Sequence, residues 1–306
     1  MLSYILHRIL MLVPVLFGVT LVSFSLLHLV PGDPAEILGG QEATAEDVAR
    51  IRREYGLDRP LAVQYVRFVG NAIRGDLGIS IQSRHPVQEL LFQRLTFTLQ
   101  LSLVSILVAS AIGLLAGIIS STRQYSIFDT TSMLGALFGI SMPIFWLGLL
   151  LILIFAVKLH WLPSGGTGTL RHLILPAIAL GSASAAVIAR MTRASMLEVT
   201  RQDYIRTARA TGYRERVVIF RHALKNAMIP VLTVFGLEFG YMLGGAVLTE
   251  TVFSLPGIGR LLVEGIFMRD YPVVQGAMIA VATTFVLVNL LTDVAYAFFD
   301  PRIRYE

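Results

Sequence analysis

The sequence predicts an all-α membrane protein with six transmembrane helices, both termini cytoplasmic, and a small outer cap between the first two helices. Three observations lead there. Of the 306 residues, 55% are hydrophobic and only 15% charged, whereas a soluble domain carries roughly a quarter charged residues. The apolar residues collect into runs close to the ~20 that cross the hydrocarbon core of a bilayer. Arginine and lysine collect in short loops that fall on one side, the pattern that marks cytoplasmic loops.

Ile9–Val30 is the first run, free of acids, Lys and Arg, with His28 near its end. It is too long for a signal-peptide core and no small-residue cleavage site follows, so it reads as an anchor. Leu99–Ser120 is the second. The third lies within Phe128–Val157, with Asp129 at its start and Pro143 inside it. The fourth, Leu173–Ala189, is short, rich in Ala and Ser, and contains Pro176. The fifth, Ala227–Leu248, carries Glu238, and the sixth, Ala277–Phe299, carries Asp293.

With the N-terminus inside, Arg8, Arg123, Arg302 and Arg304 are cytoplasmic. The loop 190–226 adds Arg190, Arg193, Arg201, Arg206, Arg209, Arg214, Arg216, Arg221 and Lys225. The outer loops after spans three and five hold only Lys158, Arg171, Arg260 and Arg269. The chain thus divides into a first span (1–30), an extracytoplasmic cap (31–96) and a five-helix core (97–306).

Three soluble pieces connect the spans. In the cap, Pro31-Gly32-Asp33-Pro34 stops the first helix, because proline cannot continue it. Ala45–Tyr55 reads as a helix with Thr44 as N-cap and acids in its first turn, and Gln64–Ile73 as another. In loop 190–226, Ser195–Ala210 reads as one helix, Gly212 as a turn, and Arg214–Leu224 as a second short helix. Basic residues on a helix–turn–helix also suit DNA, but this one sits between two membrane spans with no room for a dimeric reader, so a protein partner fits better. In the outer loop 249–276, Leu261–Met268 is amphipathic and lies at the interface or the mouth of the bundle.

Small residues at four-residue spacing let membrane helices approach closely. Gly113/Gly117, Gly135/Gly139 and Gly236/Gly240/Gly244 show this spacing, and the triple repeat is the one expected to form an interface. Glu238 lies inside that repeat but points away from its stripe. An intramembrane acid either lines a polar path or is satisfied by a neighbouring helix. Both readings stand for Glu238.

Other classes fit less well. Gly139-Ile140-Ser141-Met142 matches a loose membrane serine-protease pattern, yet His160, His172 and His222 lie in loops or at span edges, where none activates Ser141. Pro143 directly after the motif reads as a kink. No metal-binding spacing joins the six histidines, no Walker-type loop occurs, and zero cysteines exclude disulfides and iron–sulfur clusters. A secondary transporter would show an internal repeat or acids spread over several helices, and neither is visible.

Across the whole length run Leu29-Val30-Pro31-Gly32-Asp33-Pro34, Tyr55-Gly56-Leu57-Asp58, Gly75-Asp76-Leu77-Gly78, Met191-Thr192-Arg193, Asp203-Tyr204-Ile205-Arg206-Thr207-Ala208-Arg209-Ala210, Pro256-Gly257-Ile258-Gly259 and Arg269-Asp270-Tyr271-Pro272. In this order they resemble the binding-protein-dependent ABC importer permeases, specifically the B-type membrane subunit of the peptide–nickel subfamily. This resemblance implies a type I importer permease fold. It also implies a second, homologous permease, two ATP-binding subunits that hold ATP and Mg, and an extracytoplasmic binding protein that selects the substrate. No nucleic acid and no cofactor on this chain are expected.

The family's ATPase-docking loop carries Glu-Ala-Ala, a glycine four residues on, and a later Leu-Pro. Aligned on Gly212, the first positions here are Arg206, Thr207 and Ala208, so the acid is missing, and Lys225 replaces the proline after Leu224. By resemblance, Asp203, Tyr204, Arg206, Thr207, Ala208, Arg209, Gly212, Arg214, His222 and Asn226 form the docking loop. Ser141, Met142, Pro143 and Glu238 are candidates for the translocation path, and Gly236, Gly240 and Gly244 for helix packing. Pro256, Gly257, Gly259, Arg269, Asp270 and Tyr271 face the binding-protein side. Peptide is the expected substrate, with glutathione and nickel chelates as the family's other cargoes, and the plasma membrane of a bacterium or archaeon is the expected location (the inner membrane in a Gram-negative cell).

Overall fold

The computed structural model describes the backbone of residues 2–29, 34–39, 43–54 and 56–299. The expected helix stop at Pro31-Gly32-Asp33, Tyr55, Arg302, Arg304, and the side chains of Arg8, His28 and Asp293 lie outside the described residues.

The chain is helical: α1 (Leu2–Leu29), α2 (Pro34–Gly39), α3 (Ala45–Glu54), α4 (Leu61–Ile73), α5 (Val87–Thr122), α6 (Ile127–Ser141), α7 (Ile144–Leu151), α8 (Arg171–Thr200), α9 (Asp203–Ala210), α10 (Glu215–Val217), α11 (Leu224–Val252), α12 (Ile258–Phe267) and α13 (Tyr271–Phe299). Among the described residues the only extended pairing is a bridge between Ile79 and Pro86. Four helices are long and apolar enough to cross a membrane, or five if α6 and α7 form one span, while the described apolar stretch of α1, Leu10–Ser25, is shorter.

The structure differs from the expected elements in four places. The third run is broken more sharply than a kink, its two halves bent by 107°. Met142 (φ −81°, ψ 129°) and Pro143 (φ −60°, ψ 133°) are both extended. Proline has no N–H to continue a helix and pushes the preceding residue out of the α region, so two residues redirect the chain. The fourth helix runs on to Thr200 and carries Arg190 and Arg193, which therefore are not loop residues. Ser195–Ala210 is not one helix either: Gln202 is extended (φ −73°, ψ 150°) and separates α8 from α9. Beyond Gly212 there is no separate short helix. α10 continues through a π-helical turn, Val218–Ala223, straight into α11.

The chain forms two compact units, one of Leu6–Phe97 with Pro256–Thr284, the other built mainly of Thr98–Leu255 with α13 from Phe285. In the second, α8 is the central helix: 61% of its apolar window is buried, against 33% or less for the other long helices. Its small residues allow this. A Cβ on Gly113 or Gly117 of α5 would come within 2.7 Å of the Ala185 carbonyl or 2.5 Å of Thr192 Cβ, and one on Gly181 within 2.8 Å of the Ser105 carbonyl. The α5–α8 crossing is thus a glycine contact, although the sequence pointed to the triple repeat instead. Leu101, Ile106, Leu175, Ile188, Val231, Met242 and Phe253 fill the core around it.

The triple repeat packs only in part. A Cβ on Gly236 would lie 1.8 Å from Thr292 Cγ2, and one on Gly240 3.1 Å from the Asn289 amide, both on α13, whereas Gly244 has nothing within 4 Å.

In the other unit, Val87, Leu91, Ile258, Leu261, Val273 and Ala277 form a small core. In the cap, Thr44 caps α3 as expected: its hydroxyl accepts from the Asp47 N–H at 3.2 Å, and the Asp47 carboxylate accepts from the Thr44 N–H at 3.2 Å. The Thr44 hydroxyl, which also donates to the Asp47 carboxylate at 2.7 Å, and then the Thr44 N–H hold this carboxyl below its usual range.

Candidate functional site

The basic loop folds into a knob. After the turn at Gln202, α9 lies back so that Ile205 and Ala208 close over Met196, Val218, Ala223 and Ala227. Ala208, expected among the docking residues, is therefore an inward-facing packing residue. Gly212 turns the chain at φ +84°, a conformation that costs glycine nothing. Across this turn Arg209 clamps Glu215, Nη2 to Oε1 at 2.8 Å and Nε to Oε2 at 3.3 Å. The carboxylate beside it raises the Arg209 guanidinium above its usual pKa. Asn226 donates to the Tyr204 hydroxyl at 2.7 Å, and the Tyr213 and His222 rings sit 5.4 Å apart. Arg206, Thr207, Arg214 and Arg216 are left exposed at the tip. The result is a positively charged knob with its own buried core.

Gly139, just before the candidate path residues at the bend, and Glu238 both meet α8 within one turn. Ser141 and Pro143 are exposed at the bend after α6, with Met142 half-buried. Just before them, Gly139 comes so close that a Cβ would be 2.9 Å from the Ser182 carbonyl. Two residues along, the buried Ser184 hydroxyl donates to the Glu238 carboxylate at 2.5 Å. Glu238 is therefore held by a neighbouring helix through one oxygen while remaining half-buried. A second acid, Glu250, is fully buried on α11 and accepts from Thr98 at 2.6 Å. The sequence reading left Glu250 in a loop because its apolar run ended at Leu248.

On the expected binding-protein side, Gly257, Gly259 and Asp270 are buried, Pro256 and Tyr271 half-buried, and only Arg269 is open. Asp270 is a staple. Its carboxylate accepts from the Ser80 hydroxyl (2.5 Å) and from the N–H groups of Ile81 (3.2 Å), Gln82 (3.2 Å) and Val273 (3.4 Å), tying the 78–86 loop to the α12–α13 turn.

Residues 109–305 match the family described as the binding-protein-dependent transport system inner membrane component, and residues 1–102 match that system's N-terminal membrane component. The chain belongs to this permease family. Curated relatives align over the full length of both chains: the dipeptide transport system permease protein DppB of Alkalihalophilus pseudofirmus at 47% identity, the glutathione transport system permease protein GsiC of Escherichia coli O6:H1 at 47%, and the di/tripeptide transport system permease protein DppB of Pseudomonas aeruginosa at 47%. The permease also shares its fold with a chain of the inward-facing MetNI methionine ABC transporter, at 20% identity and a TM-score of 0.59, covering 69% of this chain and 96% of that one.

The permease also holds a site the sequence reading missed. Arg193 of α8 meets Asp129 at the start of α6, and both bond Ser120 of α5. The sequence reading counted Arg193 as a cytoplasmic loop charge and Asp129 as the edge of a span. Their meeting depends on how α6 and α8 pack, which neither local pattern reports.

Proposed function

We propose that this permease is the membrane subunit of an ATP-driven importer that takes dipeptides or short oligopeptides, glutathione included, from an extracytoplasmic binding protein and passes them to the cytoplasm by alternating access. In this reading six helices cross the plasma membrane, with both termini cytoplasmic and the segment between the first two spans largely outside. A second, homologous permease completes the path. Two ATP-binding subunits carry ATP and Mg and do the hydrolysis.

The observation that carries the proposal is the knob. A loop that merely orients the chain needs charge alone, but this one has a buried core, a bidentate clamp across its turn and an exposed basic tip. Such a body can seat in a cleft and transmit a displacement. Tyr204, Arg206, Thr207, Arg214 and His222 lie towards the ATPase, their charges giving rim electrostatics that favour correct encounter. Arg209, Gly212, Ala208 and Asn226 hold its shape. Glu238, near the bend at Ser141-Met142-Pro143, lines the path and meets the peptide's amino terminus with its free oxygen.

Purification of the tagged chain in mild detergent, followed by mass spectrometry, tests this. A second permease of similar size with one or two ATPases supports the importer, and the accompanying binding protein identifies the cargo, a metal-chelate binder pointing to nickel. A chain that purifies alone and transports alone in liposomes overturns it.

A further inference from the structure

Helix α4 was expected to belong to the water-facing cap, yet its surface is wrong for water. Its polar residues Gln64, Arg67 and Asn71 fall on one stripe at helical spacing. Two of them turn inward to the preceding turn: Gln64 Nε2 donates to the carbonyls of Leu57 (3.2 Å) and Arg59 (2.8 Å), and the Arg67 guanidinium lies over Gly56. A second side faces α1, where the Tyr65 ring meets Phe17 and Phe24 edge-on at centroid distances of 6.1 and 5.4 Å, and its hydroxyl pairs with Thr20 at 2.9 Å. The third side carries Val63, Val66 and Ile73, exposed to 40%, 68% and 82%. No residue of α4 is buried.

The level of this contact decides what covers the free side. Phe17, Thr20 and Phe24 lie within the apolar stretch Leu10–Ser25 of α1, not beyond its end. Beside α4, α1 itself exposes Leu10, Val13, Leu21 and Val22. Val63 and Val66, which flank Tyr65, therefore continue the apolar surface of α1 at the level of this contact, and Ile73 extends their stripe along α4. At ~20 Å for 13 residues, α4 is too short to cross the bilayer.

We propose that α4 is a non-spanning helix embedded among lipid acyl chains alongside α1, with Val63, Val66 and Ile73 on lipid. It rests on the membrane reading of α1 and not on the transport function.

The chain contains no cysteine, so single-cysteine spin labels need no background changes. Val66→Cys, Ile73→Cys and Asn71→Cys are made in the full chain, purified with its partner subunits and reconstituted in liposomes. Power saturation then compares collisions with oxygen, which concentrates in lipid, and a water-soluble nickel chelate. The oxygen-to-nickel ratio is expected to be severalfold higher at 66 and 73 than at 71. Nickel access at 66 and 73 equal to that at 71 would place the stripe in water and overturn the proposal. Access by neither reagent would place a protein there and overturn it as well. Labels at Leu10→Cys and Leu21→Cys separate the causes, since nickel access there means that the membrane reading of α1 itself has failed.

Discussion

Arg193 forms a two-pronged ion pair with Asp129, Nε to Oδ1 at 2.8 Å and Nη2 to Oδ2 at 2.9 Å. The Ser120 hydroxyl and the Tyr125 N–H (3.0 Å) add two further donors to the carboxylate. The pair gathers the end of α5 and the start of α6 onto α8, and with side chains 26% and 7% exposed it is largely removed from solvent. Removing one partner leaves the other charge stranded, which costs about 3–5 kcal/mol for a buried pair. Asp129→Ala and Arg193→Ala should each lower the unfolding temperature in detergent sharply. The combined apolar replacement Asp129→Leu with Arg193→Met should recover most of that loss, and a double variant no better than the singles would show that the pair is not what binds these helices.

The Arg209–Glu215 clamp predicts a different pattern. Exposed pairs contribute only ~0–1 kcal/mol to folding, so Glu215→Arg should leave the unfolding temperature nearly unchanged. It should reduce recovery of the ATPase with the chain severalfold, and the exchanged pair Arg209→Glu with Glu215→Arg should restore it. Charge reversal at Arg209 and Arg214 together should likewise impair ATPase recovery without unfolding the membrane helices. Recovery unaffected by all of these would place docking elsewhere.

The glycines of α11 are not equivalent. Gly236→Ala forces a methyl into Thr292 and should cost about 1–3 kcal/mol by overpacking, part of it relieved by Thr292→Ala. Gly244→Ala meets nothing and should be neutral or stabilise by up to ~1 kcal/mol through helix propensity. Thermal unfolding of the three variants side by side reads this order directly.

Asp270→Ala removes the acceptor for three backbone N–H groups. Bonds to a charged group are worth about 1.5–3 kcal/mol each, so the amides of Ile81 and Gln82 should lose hydrogen-exchange protection while those of α8 keep theirs. Loss across both would mean that Asp270 supports more than the 78–86 loop.

What the residues revealed in advance follows from where the information lies. The apolar runs were legible because lipid selects composition over a whole helix, and the Thr44 cap and the Gly212 turn because each is a bargain between neighbours in sequence. The right-angle break at Met142-Pro143 was half legible: the proline was visible, but a kink and a reversal look alike until the partner helix is in place. Arg193–Asp129 and the Asp270 staple were illegible, because each joins residues far apart along the chain and contains a charge that, on its own, reads as a solvent contact or a span edge. Ser184–Glu238 was half legible: a neighbouring helix was one of two readings for the acid, but nothing in the sequence named Ser184. Of the residues expected at the docking surface, Ala208 packs inward on Met196, which helical spacing alone did not show.

The unbroken passage from the knob into α11 has a mechanical consequence. The 29 residues of α11 make a rod of ~44 Å, continuous through Pro230 and joined to the knob by a single π-helical turn. Under the proposed topology such a rod is a crank with its handle in the cytosol. Each degree of tilt about the knob displaces the far end by ~0.8 Å at that length, so a rocking of five degrees shifts Glu250 by about a side chain's width, and a small stroke at one end becomes a large one at the other.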